Sequence, residues 1–185
     1  GLTGFEYKSR HILEPICNIC GIYSGYTGPG SKTVLPSVAA AKLDFRLVPD
    51  QNPDEILSKL RKHLDSHGFS DITIAPATEG ENPARTPLYS PFVNMVAQAA
   101  REVYGVKPVI MPSMAGSGPM YLFTDILKLP TAGIGVDYPA SRAHAPDENI
   151  RIADFILGTK HVAALLERMA SDWQREPEGR SRKWR

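Results

Sequence analysis

From Ala39 to Val48 the side chains alternate, with Ala39, Ala41, Leu43, Phe45 and Leu47 on one side and Ala40, Lys42, Asp44, Arg46 and Val48 on the other. A period of two predicts a β-strand whose apolar face meets a core while Lys42, Asp44 and Arg46 point away from it. Before it, CNICGIYSGY at 17–26 reads as a strand running into the tight, turn-rich TGPGSK. After it, Asn52 and Pro53 open a helix, Asp54 and Glu55 suit its positive end and Gly68 closes it, with Ile56, Leu57, Leu60 and Leu64 as the buried stripe. DITIA at 71–75 is expected to be a further strand.

The polar, proline-rich PATEGENPARTP at 76–87 predicts a domain boundary. Beyond it, Ser90 and Pro91 start a helix carrying Phe92, Val93, Val96, Ala100 and Val103 at helical spacing and ending at Gly105. PVIMP follows as a short strand, Pro119 opens a helix to about Leu127, PTAGIGV reads as a buried strand, and a last helix spans about Ala153 to Met169. The closing SDWQREPEGRSRKWR has little to bury and predicts a frayed tail. Sheet with one helix, then alternating helix and strand, gives an α+β part followed by an α/β part.

Composition narrows the partners. The 185 residues carry 21 basic and 20 acidic side chains, a formal charge of +1, which leaves no broad field for nucleic acid or an anionic membrane. No apolar run approaches the length needed to span a bilayer, and GLTGFEYKSR lacks the apolar stretch of a signal peptide, so the cytoplasm is the expected compartment.

Several groups could carry chemistry. Cys17 and Cys20 form a C-x-x-C, but no second pair completes a structural zinc site, and two buried strand cysteines on opposite faces are the better reading. His63 and His67 lie one helical turn apart and could chelate a metal, although the charged KLRKHLDSH around them favours a plain exposed helix face. His11 and His161 have no evident partner. In PSMAGSGPM, Gly116 and Gly118 let backbone approach a ligand while Ser117 and Pro119 suit a helix start that favours an anion, although a bare turn into a helix explains the same residues. His144, in DYPASRAHAPDENIRI, follows a predicted strand, where ligands gather in α/β sheets.

Taken together, GPGSKTVLPSVAAAKLDFRLVPDQNP, MAGSGP and SRAHAPDENIRI resemble the zinc aminoacylase and dipeptidase family. That family includes carnosinase-like dipeptidases, acetylornithine deacetylase, succinyl-diaminopimelate desuccinylase and bacterial glutamate carboxypeptidase, and KTVLP with RLVP leans toward the carnosinase-like branch. The resemblance implies a partial ferredoxin-like lid, or dimerisation, domain over 1–77 and a linker at 78–87. The carboxy-terminal part of an α/β zinc-peptidase catalytic domain would then span 88–170, with a disordered tail at 171–185.

It further implies that His144 is the late ligand to one of two zinc ions. Arg46 would grip a substrate carboxylate, Thr33 would line the same site, and Ser117 between Gly116 and Gly118 would contact substrate. A guanidinium suits that grip because its planar fork donates two parallel hydrogen bonds to a carboxylate. The substrate would be a small peptide or acylated amino acid, and the lid would pair with a second copy in a homodimer. The family's early H-x-D segment, bridging aspartate, Glu-Glu pair and further acidic ligand have no counterpart here, nor do the lid's first strand and helix. No catalytic residue is therefore assigned, and the 185 residues are expected to hold no stoichiometric zinc and to be inactive alone. The competing reading is a non-catalytic dimerisation or carboxylate-binding module derived from that family.

Overall fold

A computed structural model describes residues 1–76, 80–114 and 116–175, with the side chains of the last helix described through Ser171. Two compact units emerge: residues 1–84 with 113–119, and residues 85–112 with 120–185.

The first unit is built on a two-stranded antiparallel ribbon of β1, Ile16–Ser24, and β2, Ala39–Arg46. Helix α1, Gly4–Leu13, precedes it and α2, Pro53–Ser66, follows it. The order α-β-β-α is that of the four interior elements of a ferredoxin-like β-α-β-β-α-β unit. Helix α1 was not foreseen, and it supplies a helix where the lid's own first helix was expected to be missing. Its signals were Thr3 as N-cap and the Glu6, Arg10, Glu14 ladder of exposed charge pairs one turn apart.

Ile16 pairs with Arg46 and Ile19 with Leu43, but Gly21 pairs with Lys42, so Cys20 is the extra residue of a β-bulge. The bulge shifts the alternation of β1 by one. Cys17, Ile19 and Ile22 consequently share a face with Ala39, Ala41, Leu43 and Phe45, while Ile16, Asn18 and Tyr23 share the other with Ala40, Lys42, Asp44 and Arg46. The apolar face exists as predicted, but its burial does not. Ile19 is 60%, Ile22 74% and Leu43 42% exposed, because among the described residues no helix packs closely across the ribbon. Both cysteines are exposed and free, correcting their assignment as buried.

Helix α2 begins as its sequence dictates. The Asn52 side chain accepts from the backbone N–H groups of Asp54 (2.9 Å) and Glu55 (3.4 Å), and Gly68 leaves the helix at φ +83. Ile56, Leu60 and Leu64 are half-buried and Leu57 is exposed. The segment 71–75 forms no strand. Arg61 instead donates to the carbonyls of Phe69 (2.8 Å) and Ile72 (2.6 Å), tying the chain back to α2.

In the second unit α3, Pro91–Tyr104, packs against α4, Ile152–Arg175. Gly105 ends α3 at φ +68 with its N–H on the Arg101 carbonyl. The buried apolar residues among those described are Val93, Met95, Val96 and Ala99, all on α3. His161 of α4 is buried in the same seam, donating from Nε2 to the Val96 carbonyl (3.0 Å) and meeting the Tyr104 ring edge-on at 5.8 Å. Arg168 ties the seam's rim to Glu102 and Gln98. Gly158 faces Val136 so closely that a β-carbon there would overlap the valine side chain.

Two further expectations fail here, because residues 108–112 and 130–136 form no strands; the helix expected from Pro119 to about Leu127 is present over 120–126, with Leu122–Ile126 π-helical. A strand exists only as part of a ladder, and among the described residues β1 and β2 alone provide one. Helix α4 continues past Ser171, where a tail was expected, to Arg175; residues 176–185 and the linker positions 77–79 lie outside the described residues. No helix among the described residues is long and apolar enough to cross a membrane.

Because Ala99 is fully enclosed, Ala99→Leu should overpack the seam and lower stability by about 1–3 kcal/mol, read as a reduced urea midpoint at unchanged slope.

Candidate functional site

Arg46 is the last residue of β2, on the polar face, two positions from Asp44 and therefore on the same side. Asp44 Oδ2 lies 2.9 Å from Arg46 Nε, and both side chains are about half exposed. Such a surface pair is worth about 0–1 kcal/mol, so its role is orientation more than stability. On the other edge of the guanidinium, Nη1 donates to Ser117 Oγ at 2.8 Å, across 71 positions of sequence. Nη2 makes no hydrogen bond among the described residues. The fork is thus fixed by a carboxylate at one end and a hydroxyl at the other, with donors left for an anion.

Ser117 stands between Gly116 and Gly118. A β-carbon at Gly116 would press on Met114 Cε at 3.1 Å, whereas one at Gly118 would meet nothing, so the loop's open side is at Gly118. Thr33 lies in the irregular 31–38 segment, exposed, and its side chain joins neither Arg46 nor Ser117. Upstream of it, Tyr26 folds the turn by donating from its hydroxyl to the Pro29 carbonyl (3.0 Å).

His144 belongs to the second unit. Its loop is clasped internally. Ser141, 3% exposed, accepts from the Tyr138 N–H (2.8 Å), its own N–H donates to the Tyr138 carbonyl (2.9 Å), and the Tyr138 hydroxyl donates to Asn149 Oδ1 (2.6 Å). Asn149 Nδ2 donates to the Asp147 carbonyl (3.0 Å), and Arg142 pairs with Asp147 at 3.1 Å. Arg151 lies 4.6 Å over the Tyr138 ring, and its hydrogen bond to Asp154 raises its pKa from an already high value. At the tip, His144 adopts φ +62, a left-handed conformation uncommon for a side-chain-bearing residue, and it is exposed, its ring making no hydrogen bond among the described residues. The sequence pointed to His144 but not to Ser141, Asn149 or Tyr138; turn formers at Y-P-A-S and a later Asn were the available signal.

Among the described residues no three His, Cys, Asp or Glu side chains come together in a way that could hold a metal ion. A groove of about 350 Å³ in the second unit, lined by Arg85, Thr86, Ser90, Thr124 and Lys128 among others, includes none of the residues that the sequence singled out.

An α-β-β-α unit followed by a helical unit, an arginine meeting a glycine-flanked serine and a histidine held at a loop tip are the features to set beside known proteins. The model of Peptidase family M20/M25/M40 matches residues 8–168, and the chain belongs to that family. It is 28% identical over 182 residues to the Cys-Gly metallodipeptidase of Saccharomyces cerevisiae, covering 89% of this chain and 36% of that protein. It is 26% identical over 174 residues to the human Beta-Ala-His dipeptidase, covering 90% and 34% respectively. Among solved structures, an M20 family metallo-carboxypeptidase from Sulfolobus solfataricus superimposes with a TM-score of 0.75 at 38% identity, over 88% of this chain and 37% of that one. The chain thus spans about a third of the length of these relatives.

The family is one of metallopeptidases, but one exposed imidazole does not fit a catalytic metal, which takes about three protein ligands.

Removing the clasp should free the loop. Ser141→Ala leaves the Tyr138 N–H without its acceptor and should lower stability by about 1–3 kcal/mol while speeding amide exchange across 138–149.

Proposed function

We propose that the chain is the carboxy-terminal portion of a zinc-dependent dipeptidase-like hydrolase, cleaving a peptide or amide bond near a free carboxylate. The observation that carries this reading is the Arg46 to Ser117 hydrogen bond of 2.8 Å, which joins two motifs far apart in sequence into one anion-seeking group. Asp44 holds the guanidinium by Nε, Nη2 is left to donate to the substrate's carboxylate, and Nη1 can exchange Ser117 for it. Gly116 and Gly118 let the substrate backbone approach, and Thr33 lines the same site. His144 contributes one zinc ligand; the others, with the general base, come from the remaining length that the relatives have. The 185 residues alone are inactive on this account.

The exposed Ile19, Ile22 and Leu43 favour a second element of the reading, a homodimer through the ribbon of the first unit. A clean monomer by sedimentation at micromolar concentration would rule that element out.

The activity is tested in a chimera, with this chain replacing the matching part of the Sulfolobus carboxypeptidase. The chimera should hydrolyse small peptides, and Arg46→Ala should raise KM by about 10–100-fold, the loss of charge-assisted hydrogen bonds to a carboxylate. An unchanged KM would remove Arg46 from the substrate site. Chelator-sensitive hydrolysis by the 185 residues alone would overturn the assignment of the missing ligands.

A further inference from the structure

The exposed carboxy-terminal end of α2 carries two imidazoles, His63 in its last turn and His67 as its C-cap. The His63 and His67 rings lie 4.3 Å apart between centroids, tilted by 39°. His67 Nδ1 is 2.8 Å from the His63 carbonyl, and since a carbonyl only accepts, Nδ1 carries the proton. The Ser66 hydroxyl, itself donating to that carbonyl at 2.9 Å, lies 3.1 Å from the same nitrogen. The His67 tautomer is thereby set, and its Nε2 is left as a lone-pair nitrogen with no hydrogen bond, facing solvent. An imidazole whose N–H is held by a backbone carbonyl is the arrangement that orients ligating histidines.

We infer that His63 and His67 chelate a divalent transition-metal cation of the imidazole-preferring kind, Ni²⁺, Cu²⁺ or Zn²⁺, which staples the end of α2. The two rings already lie 4.3 Å apart, so one cation can bridge both while water fills its remaining positions. The second imidazole binds intramolecularly once the first has bound, so the pair holds a cation that either ring alone would release. The nearby acid, Asp65, does not compete because Arg61 occupies it at 2.7 Å. Such a cation binds the paired imidazoles of folded α2 more tightly than the unfolded chain, so it raises stability by mass action. The site uses neither Arg46 nor His144 and stands apart from the proposed hydrolase activity.

The test is calorimetric titration of the 185-residue chain with Ni²⁺, in a Cys17→Ser, Cys20→Ser background that removes the exposed thiols as rival ligands. A single saturable Ni²⁺ site with a rise in Tm is expected. His63→Gln and His67→Gln should each weaken binding by about tenfold or more, and His11→Gln should not. Adding Lys59→His to His67→Gln rebuilds a pair one turn earlier on the same face and should restore affinity. Absence of saturable binding, or unchanged affinity in both single variants, would overturn the assignment. So would a loss in the single variants that Lys59→His does not recover, since the pairing would then not be what binds.

Discussion

The antiparallel ladder between β1 and β2 is the constraint on which the first unit's chemistry depends. Side chains in a strand alternate strictly, so the company Arg46 keeps is decided by register and not by its neighbours in sequence. With Arg46 opposite Ile16 at the open end of the ribbon, its fork projects past the last ladder bond, where Asp44 and Ser117 can reach it from different directions. The bulge at Cys20 preserves this arrangement. Were Cys20 paired in regular register instead of bulged, Ile22 would leave the side of Ile19 and Leu43 and join the polar face, setting an isoleucine among Lys42, Asp44 and Arg46.

The same ladder creates a problem that it does not solve. One face of the ribbon is apolar and wet, and in the second unit α3 buries Val93, Met95, Val96 and Ala99 in its seam with α4 while Phe155, Ile156, Val162 and Leu166 of α4 stay exposed. Exposed apolar surface of that extent is normal for a region that meets another surface and unusual for one that does not. The relatives are about three times longer than this chain, which is consistent with surfaces shaped for more neighbours than the described residues supply.

What was legible in the sequence was whatever a short window determines. Asn52, Pro53 and Gly68 fixed the ends of α2, and Pro91 and Gly105 did so for α3, because caps act through the nearest few backbone groups. The alternation from Ala39 to Arg46 gave β2 and its two faces. The expected strands at 71–75, 108–112 and 130–136 failed for the opposite reason: apolar, β-prone letters state a preference, but a strand needs a partner that no window contains. The site divided along the same line. Three motifs named Arg46, Ser117 and His144, yet the Asp44 anchor, the Arg46 to Ser117 bond and the Ser141 clasp are tertiary facts. The bulge was invisible too, since nothing in CNICGIYSGY marks Cys20 as the residue without a partner.

Gly158 carries an implication for anyone wishing to harden this protein. A glycine inside a long helix is an obvious target, because alanine there would ordinarily add about 1 kcal/mol of helix stability. Here the hydrogen in place of a methyl is what lets α4 lie against Val136, one residue ahead of the loop that bears His144. Filling that gap would trade a local gain in backbone order for displacement of the segment feeding the loop. The weakest helix former in α4 thus acts as a spacer of zero thickness, and the protein's tolerance for thermostabilising change is lowest where a propensity scale would place it highest.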